Sequence, residues 1–287
     1  MADNNPNNDN KQGNVLAGFV LYKDANMDWL RFRKSLKDDW GIELQGEDEV
    51  KDNALVFHTE GMVVACSLMP NPVPNHEAEE CAKNNIMWKE GPDEVAKHQA
   101  HVMLAVMNKF DAMEQAVLFA KIAYSLMKTD NAIGIYKNPT VYEKSFYMNF
   151  AESIKEGEMP VPILLYTGMY LAKDGLCAFT QGMTFFGKNE LEVIDSKQQP
   201  DKVISFMFSI EEYVLSENVE LKDGETIGFS EEQKLPISVG AGVSVKGTTA
   251  KIGFRHGCNE VQSRHFRPGR HTDTVAGCVE RDRQAFL

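Results

Sequence analysis

Residues 101–136 read HVMLAVMNKFDAMEQAVLFAKIAYSLMKTDNAIGIY, and this stretch decides the fold class. Its middle part, Ala112–Met127, places apolar side chains three and four residues apart, which is the spacing of one face of a helix. A D-x-x-E capping arrangement at residues 111–114 marks the start of that helix. The flanking runs His101–Met107 and Ala132–Tyr136 are short and apolar, as strands are. The stretch therefore predicts a strand, a long amphipathic helix and a second strand.

Hairpins on both sides of this stretch indicate that the sheets are not purely parallel. Ala54–His58 and Met62–Met69 are apolar runs separated by a Thr-Glu-Gly turn. An Asp-Gly turn at Lys173-Asp174-Gly175 separates Ile163–Ala172 from Leu176–Thr180. Hairpins interleaved with helices predict an α+β fold, with antiparallel or mixed sheets and helices packed on them. The two halves could both be variations on a split βαβ unit.

The remaining elements follow from the same apolar spacing. We predict strands at Val15–Tyr22, Glu190–Ile194, Gly242–Val245 and Thr248–Phe254, and helices at Met27–Asp39, Val141–Ile154 and Pro200–Ser216.

The chain divides by composition into four parts. Residues 1–14 are rich in asparagine and too polar to bury apolar surface, so we expect a disordered tail. Residues 15–157 form an N-terminal α+β half and residues 158–254 a C-terminal α+β half. Residues 255–287 form a basic tail without apolar periodicity, which need not belong to the native sequence.

The charge balance indicates which kinds of partner the chain could bind. The 287 residues carry a net charge of −12. Residues 263–287 hold five arginines against three acids, a balance of +2, so residues 1–262 carry −14. Phosphate binding needs a basic footprint, so we expect no nucleic-acid partner. An acidic chain favours a basic protein partner, while the oligomeric state stays open.

The compartment follows from what the sequence contains. No apolar run approaches the roughly 20 residues that span a bilayer, so we expect no membrane association. The N-terminus has neither a basic region nor an apolar core, unlike a signal peptide. Five scattered cysteines, an odd number, indicate free thiols rather than a disulfide framework. We therefore expect a cytoplasmic protein.

The first candidate site surrounds the proline-rich connector Met69–Pro74 (MPNPVP), which its prolines keep extended. His98 and His101 are three residues apart, a spacing that metals use on a helix. However, His101 begins a predicted strand, so the two side chains would diverge, and we favour structural hydrogen bonds over a metal site. Trp88 is either an exposed interaction residue or packed under the connector, and we favour the packed alternative.

The second candidate site is Leu221–Leu235 (LKDGETIGFSEEQKL). Asp223-Gly224 is a turn dipeptide, Gly228 permits a second bend, and Ser230 with Gln233 forms an S-x-x-Q capping box. Turn chemistry thus explains the most distinctive residues of the segment. The polar residues that it leaves without a role are Glu225, Thr226, Glu231, Glu232 and Lys234.

Signatures of catalysis are missing from the sequence. No G-x-S-x-G elbow, no G-x-G-x-x-G loop and no phosphate-binding P-loop occurs. His256, Cys258, His265 and His271 form only a loose set that falls in the basic tail. We therefore assign no catalytic residue and expect neither a metal nor a cofactor.

Several segments resemble the family known as domain of unknown function 4261. They are Leu68–Pro74, Trp88 with the later His98–His101, Gly182 to Glu192, and Leu221–Leu235. The resemblance covers roughly residues 15–254, and its last segment is the most specific. It implies a compact cytosolic α+β domain from a bacterium, and it transfers no catalytic residue.

Three function classes remain open. The leading hypothesis is a non-enzymatic protein-interaction protein, for instance an immunity or accessory protein that docks a basic partner. The alternative is an enzyme or small-ligand binder, with a pocket where the connector, Trp88, His98, His101 and Leu221–Leu235 converge. A structural homo-oligomer is the third possibility.

Overall fold

The computed structural model describes residues 14–45, 50–108, 111–228 and 234–254. The rest of the predicted disordered tail, residues 1–13, and the basic tail at 255–287 lie outside the described residues. So do the predicted capping box at Ser230–Gln233 and the loose histidine and cysteine set of the basic tail.

Six strands from the first half form one sheet in the order β2-β3-β4-β1-β5-β6, and each neighbouring pair is antiparallel. Alternate residues of a strand point to opposite faces, and one set is buried throughout β3, as Val64 and Cys66 show. The strands are β1 (Asn14–Tyr22), β2 (Ala54–Thr59), β3 (Met62–Met69), β4 (Ala100–Asn108), β5 (Ala132–Lys137) and β6 (Thr140–Glu143).

Three helices of the first half pack on one face of this sheet and build the larger core. Helix α4 has the predicted bounds, and Asp111 caps it by accepting hydrogen bonds from the N–H groups of Met113 and Glu114 at 2.8 and 2.9 Å. Apolar residues of α1, α4 and α5 join those of the strands in one buried cluster. The helices of this half are α1 (Trp29–Trp40), α2 (Glu77–Ala82), α3 (Gly91–Val95), α4 (Ala112–Met127) and α5 (Lys144–Glu152).

The second half forms another six-stranded sheet, in the order β10-β11-β12-β9-β8-β7. Strand β12 runs parallel to β9 and the other described pairs are antiparallel, so the sheet is mixed. Helix α7 contributes to the core of this half. The elements are α6 (Val161–Leu164), β7 (Tyr166–Ala172), β8 (Gly175–Gln181), β9 (Glu190–Ser196), α7 (Pro200–Ser216), β10 (Thr226–Ile227), β11 (Leu235–Ala241) and β12 (Thr248–Ile252). The predicted α+β class is confirmed.

Two predicted elements of this region are wrong in part. The helix predicted across Val141–Ile154 is preceded by β6, because Val141 and Tyr142 pair with β5 in a hairpin. The strand predicted across Ile163–Ala172 begins only at Tyr166, after the short helix α6. In both places a short apolar run fits a strand and a helix equally well, and tertiary pairing decides.

The closing hairpin is also shifted relative to its prediction. Gly242–Val245 is not a strand but part of the turn, and β11 at Leu235–Ala241 is the partner of β12. Pro236 interrupts the apolar pattern of β11. A strand with proline near its start still pairs, because only the missing N–H is lost from the ladder.

The two halves meet at α6, which contacts α4, α5 and α7. The hydroxyl of Tyr142 donates a hydrogen bond to the carbonyl oxygen of Leu165 at 2.7 Å. The ammonium group of Lys137 donates to the carbonyl oxygen of Leu164. Side chains of β5 and β6 thus satisfy backbone groups at the point where the second half begins. Of the described helices, none is both long and apolar enough to cross a membrane.

The first prediction concerns Gly134 in β5. A Cβ atom at this position would lie 2.2 Å from the carbonyl oxygen of Tyr142, a backbone atom that cannot move aside. Gly134→Ala should therefore lower the free energy of unfolding by about 2–4 kcal/mol, as measured by urea denaturation. Gly240→Ala is the matched control, because nothing lies within 4 Å of its added Cβ atom. Equal stability of the two variants would show that β5 and β6 do not approach as described.

Candidate functional site

His98 holds the proline-rich connector in place. Its Nε2 accepts a hydrogen bond from the N–H of Val73 at 2.9 Å, and its Nδ1 donates to the carbonyl oxygen of Val95 at 2.6 Å. A neutral ring with its proton on Nδ1 satisfies both groups, since a carbonyl oxygen only accepts. The side chain is buried and both of its nitrogens are occupied. His98 is therefore fully used in fixing the connector to α3.

His101 fixes the connector at a second point. Its Nδ1 donates to the carbonyl oxygen of Asn71 at 2.9 Å, and its ring lies edge-on to Phe19. Burial lowers the pKa of His101, and the hydrogen bond to Asn71 opposes that shift only in part. The ring is consequently neutral near pH 7. The two histidines bond to different residues of the same segment.

Trp88 packs beneath the connector. Its half-buried ring joins a small apolar cluster that includes Leu21, Val73 and Val95. A Cβ atom at Gly91 would come within 3.1 Å of the ring, so α3 begins with glycine where it passes the indole. Connector, tryptophan and helices α2 and α3 together cover one end of the sheet face opposite α4.

The other candidate segment borders the second sheet. Asp223 accepts a hydrogen bond from the N–H of Val239 at 2.9 Å, and the N–H of Gly224 donates to the carbonyl oxygen of Ile237 at 3.0 Å. The N–H of Ile237 donates in return to the carbonyl oxygen of Glu225 at 2.8 Å. The predicted turn thus pairs with the outer part of β11.

Among the polar residues that had no predicted role in this segment, Glu225 accepts a hydrogen bond from the N–H of Lys222 at 3.3 Å. Thr226 is the first residue of β10, and the side chains of Glu225, Thr226 and Lys234 are exposed. Glu231 and Glu232 lie outside the described residues.

Two cavities lie near the candidate segments, and neither is lined by described residues of both. A cavity of about 50 Å³ is lined by Leu221 but by none of Trp88, His98 and His101. A second cavity, of about 20 Å³, lies beside Met87 and is lined by no residue of Leu221–Leu235. Small-molecule sites usually enclose roughly 300–1,000 Å³, so either cavity has room for water at most.

Glu192 is a buried carboxylate that the sequence analysis did not single out. It accepts hydrogen bonds from the hydroxyl of Thr249 at 2.7 Å and from the N–H groups of Val243 and Ser244. Burial alone would raise the pKa of Glu192, but these hydrogen bonds outweigh it and leave the pKa below its usual value. The ammonium group of Lys251 lies 3.7 Å away. The carboxylate thus fixes the turn between β11 and β12.

Glu190 does the same for another turn. Its carboxylate accepts from the hydroxyl of Thr180 at 2.7 Å and from the N–H groups of Gly182 and Met183 at 2.9 and 3.2 Å. These N–H groups lie at the start of the short 3₁₀ helix Met183–Phe186. The sequence signal was available, because two acids alternate with apolar residues in an otherwise apolar strand. The carboxylates of Glu190 and Glu192 thus both accept hydrogen bonds from backbone N–H groups.

Glu211 is the most perturbed carboxyl group in the described part of the chain. It is fully buried in α7, and burial raises its pKa from 4.5 to about 8. The hydroxyl of Thr167 donates to its Oε1 at 2.8 Å, while Oε2 has no partner in the described residues. Glu211 is therefore protonated near pH 7. A raised pKa is typical of catalytic acids. The cavity of about 20 Å³ that Thr167 lines beside this carboxyl group is too small to admit a substrate.

A charged cluster joins α1 to the end of α5. Asp39 accepts hydrogen bonds from Lys128 at 2.7 Å and Lys155 at 3.1 Å, and the Lys155 ammonium lies over the ring of Trp40. Burial would raise the pKa of Asp39, but its hydrogen bonds to Lys128, Ser35 and Lys155 lower it to about 2. The carboxylate is thus fully ionised and paired, as in a structural ion network. In the described residues no group of three or more His, Cys, Asp or Glu could hold a metal.

The largest unexplained feature is the outer face of the first sheet. The helices described for this half leave strands β1 to β4 uncovered there, apart from the end beneath the connector. Val15 is 58% exposed, Val56 54%, Met103 37% and Met107 36%. Strand registers place Met107 beside Val15 and Met103 beside Phe19, so these side chains share one surface. We call the outward side chains of β1 to β4 the open sheet face.

The open sheet face is uncharged as well as apolar. Its outward positions on the four strands hold no Asp, Glu, Lys or Arg; they are occupied by Val, Ala, Met, Phe, Leu, His and Ser. The largest contiguous apolar patch on a protein surface is often functional, which makes this face a candidate interaction site. The sequence signal was hidden, because only the strand registers show that these residues are neighbours.

The fold defines an α+β protein built from two six-stranded sheets with helices packed on them. Residues 179–253 match the family model described as Domain of unknown function (DUF4261), and this match supports membership of that family. The match runs from the end of β8 to β12, so it includes the buried acids Glu190, Glu192 and Glu211 and the whole Leu221–Leu235 segment. No curated protein and no solved structure matches the chain.

The second prediction tests the role of His98. His98→Leu leaves the N–H of Val73 buried without its partner, while the carbonyl oxygen of Val95 keeps only its hydrogen bond from the backbone N–H of residue 98. We expect the free energy of unfolding to fall by about 1–3 kcal/mol, and the amide hydrogen of Val73 to exchange faster. His58→Leu is the control, because His58 lies exposed on β2. If His98→Leu matched the control in both measurements, the histidine would not be what holds the connector.

The third prediction concerns the pH dependence of stability. Between pH 4.5 and about 8 the folded chain keeps a proton on Glu211 that the unfolded chain releases. Stability should therefore fall as the pH rises through this range, and ionisation costs the fold up to about 3 kcal/mol at pH 7. Glu211→Gln should remove this slope, so that the variant is the more stable protein at pH 7 and loses its advantage below pH 4.5.

Urea denaturation at a series of pH values measures the effect of Glu211→Gln. Glu217→Gln controls for the change of charge, since Glu217 is exposed at the end of the same helix. A Glu211→Gln variant with the wild-type pH profile would contradict the assignment of a neutral buried carboxyl group.

Proposed function

We propose that this chain is a non-enzymatic protein-interaction protein that docks another protein chain through the open sheet face. The observation that supports this proposal is the combination of apolar character, absence of charge and exposure on that face. Burial of exposed apolar area provides roughly 25 cal/mol per Å² of driving force for association. An immunity or accessory protein works in this way, by occupying a partner rather than by chemistry.

The buried acids and histidines favour this proposal over an enzyme. Each of His98, Glu190 and Glu192 is occupied by backbone or hydroxyl groups and is not free to contact a substrate. Glu211 is neutral near pH 7 but has no substrate-sized cavity beside it. The residues that a catalytic site would require are thus already committed to the fold.

A second surface favours a basic partner. Glu212, Glu217 and Glu220 lie at and beyond the C-terminal end of α7, whose last turn contains no basic residue. None of the three forms an ion pair within the described residues. Burial and the like charge of Glu158 both raise the pKa of Glu212. Negative charge at a helix C-terminus is unfavourable, and a basic partner would relieve it.

The proposal places the protein in the cytoplasm of a bacterium. The described cysteines Cys66, Cys81 and Cys177 are free thiols, and burial raises the pKa of the Cys66 thiol. Free, unreactive thiols are typical of a reducing compartment.

The fourth prediction tests docking at the open sheet face. We compare the wild-type chain with the double variant Met103→Glu, Met107→Glu as affinity baits in a lysate of the source organism. The double variant should lose a protein that the wild-type chain captures, because two buried charges would oppose contact. Leu171→Glu is the matched control, since Leu171 is 82% exposed in a hairpin of the second sheet.

The same capture at about 0.05 M and about 0.5 M salt tests the basic partner, because exposed charges are screened at the higher concentration. A basic protein bound through α7 should be lost at high salt and should survive the charges on the open sheet face. Capture of the same proteins by all three baits, at both salt concentrations, would sink the proposal.

A further inference from the structure

We infer that the occupant of the open sheet face is a second copy of this chain, bound face to face. This inference rests on the proposed function, because it names the partner of that surface. It starts from the pattern of large and small side chains on this face, which the strand registers define.

Three alanines form a shallow trough across three of the four strands, and Val56 of β2 closes its end. Ala65, Ala105 and Ala17 are directly opposite one another on β3, β4 and β1. Larger side chains stand on either side of them: Met107 next to Val15 in one row, and Met103 next to Phe19 in the other. Rows two residues apart are separated by roughly 6.7 Å, so the two ridges lie about 13 Å apart.

A trough between ridges is complementary to a copy of itself. When two such faces meet about a two-fold axis, a methionine ridge of one copy can enter the alanine trough of the other, and the reverse holds at the same time. Methionine side chains adapt to irregular gaps and suit this fit. Two packed sheets keep their strands within about 30° of each other at a separation of about 10 Å. The alternation of large and small rows fits that geometry.

Charge argues for the same occupant. The chain carries a net charge of −12, so most contacts between two copies are repulsive. The open sheet face holds no acidic or basic side chain, and it is the surface through which two copies meet without opposing charges. A basic partner would gain nothing there, because the face offers no carboxylate to pair with it.

The undescribed ends of the chain are poorly suited to cover the face. Residues 1–13 are almost entirely polar. Residues 255–287 contain six arginines and four acids and lack an apolar period. Burying such residues against an uncharged sheet would leave their charges without partners.

The size of the face sets the strength of the pairing. Four strands spaced 4.8 Å apart and about six residues of each give a flat area of roughly 15 by 20 Å. This is less than the roughly 800 Å² per partner of a stable complex. We therefore expect reversible dimers whose population rises over the micromolar range of concentration.

Sedimentation velocity on the full chain, from about 1 to about 300 μM, tests this inference. The average mass of the wild-type protein should rise from one chain toward two. Met103→Glu, Met107→Glu should stay at the mass of one chain, while the Leu171→Glu control should associate as the wild type does. Circular dichroism checks that all three proteins are folded.

A mixing experiment tests that the partner is the same face. Met107→Glu and Met107→Lys should each weaken self-association at least tenfold, and an equimolar mixture should recover much of it, because opposite charges now meet. A wild-type chain with the mass of one chain at every concentration, or a double variant that dimerises normally, would overturn the inference. If the wild type stays a single chain but its capture of another protein depends on the open sheet face, only the identification of the occupant as a second copy is wrong. Loss of both effects removes the proposed function as well.

Discussion

Irregular segments that cross a sheet bring backbone N–H and C=O groups into places that water does not reach, and each such group needs a partner. This chain meets the requirement with side chains rather than with further strands. His98 and His101 bond to the backbone of the connector, and Glu190 and Glu192 bond to the N–H groups of two turns. Without these side chains the connector and both turns would be left with unpaired buried groups, at about 1–3 kcal/mol each.

These side chains are of types that are common in active sites, but their hydrogen bonds go to backbone and hydroxyl groups of the fold. Buried histidines and paired acids are residue types used in acid–base catalysis, and all four of these residues fall in segments that carry the family resemblance. A residue that already bonds to backbone groups on every side has little capacity left for a substrate. The described surfaces carry more information about function than the buried polar residues do. The outer face of the first sheet lies directly beside the connector, so the histidines also fix the boundary of that surface.

Much of the fold could be predicted from the sequence, and the failures have physical reasons. Helix α4 and helix α7 have their predicted bounds, because a capping aspartate or a first-turn proline marks each start. The segment at Val141 was assigned to a helix, since a short apolar run does not reveal its pairing partner. The turn role of Asp223 and Gly224 could be predicted, whereas the open sheet face could not. Only the register between β1 and β4 brings Val15, Met103 and Met107 together.

The absence of charge on the open sheet face has a consequence for the protein in solution. The sequence has an isoelectric point of about 5.1, so the net charge that keeps molecules apart disappears in mildly acidic buffer. Near that pH nothing opposes the stacking of uncharged sheet faces, and solubility should pass through a minimum. At neutral pH the remaining acidic surface works as a colloidal stabiliser. The same acids that give the chain its charge thus allow it to keep an apolar sheet uncovered.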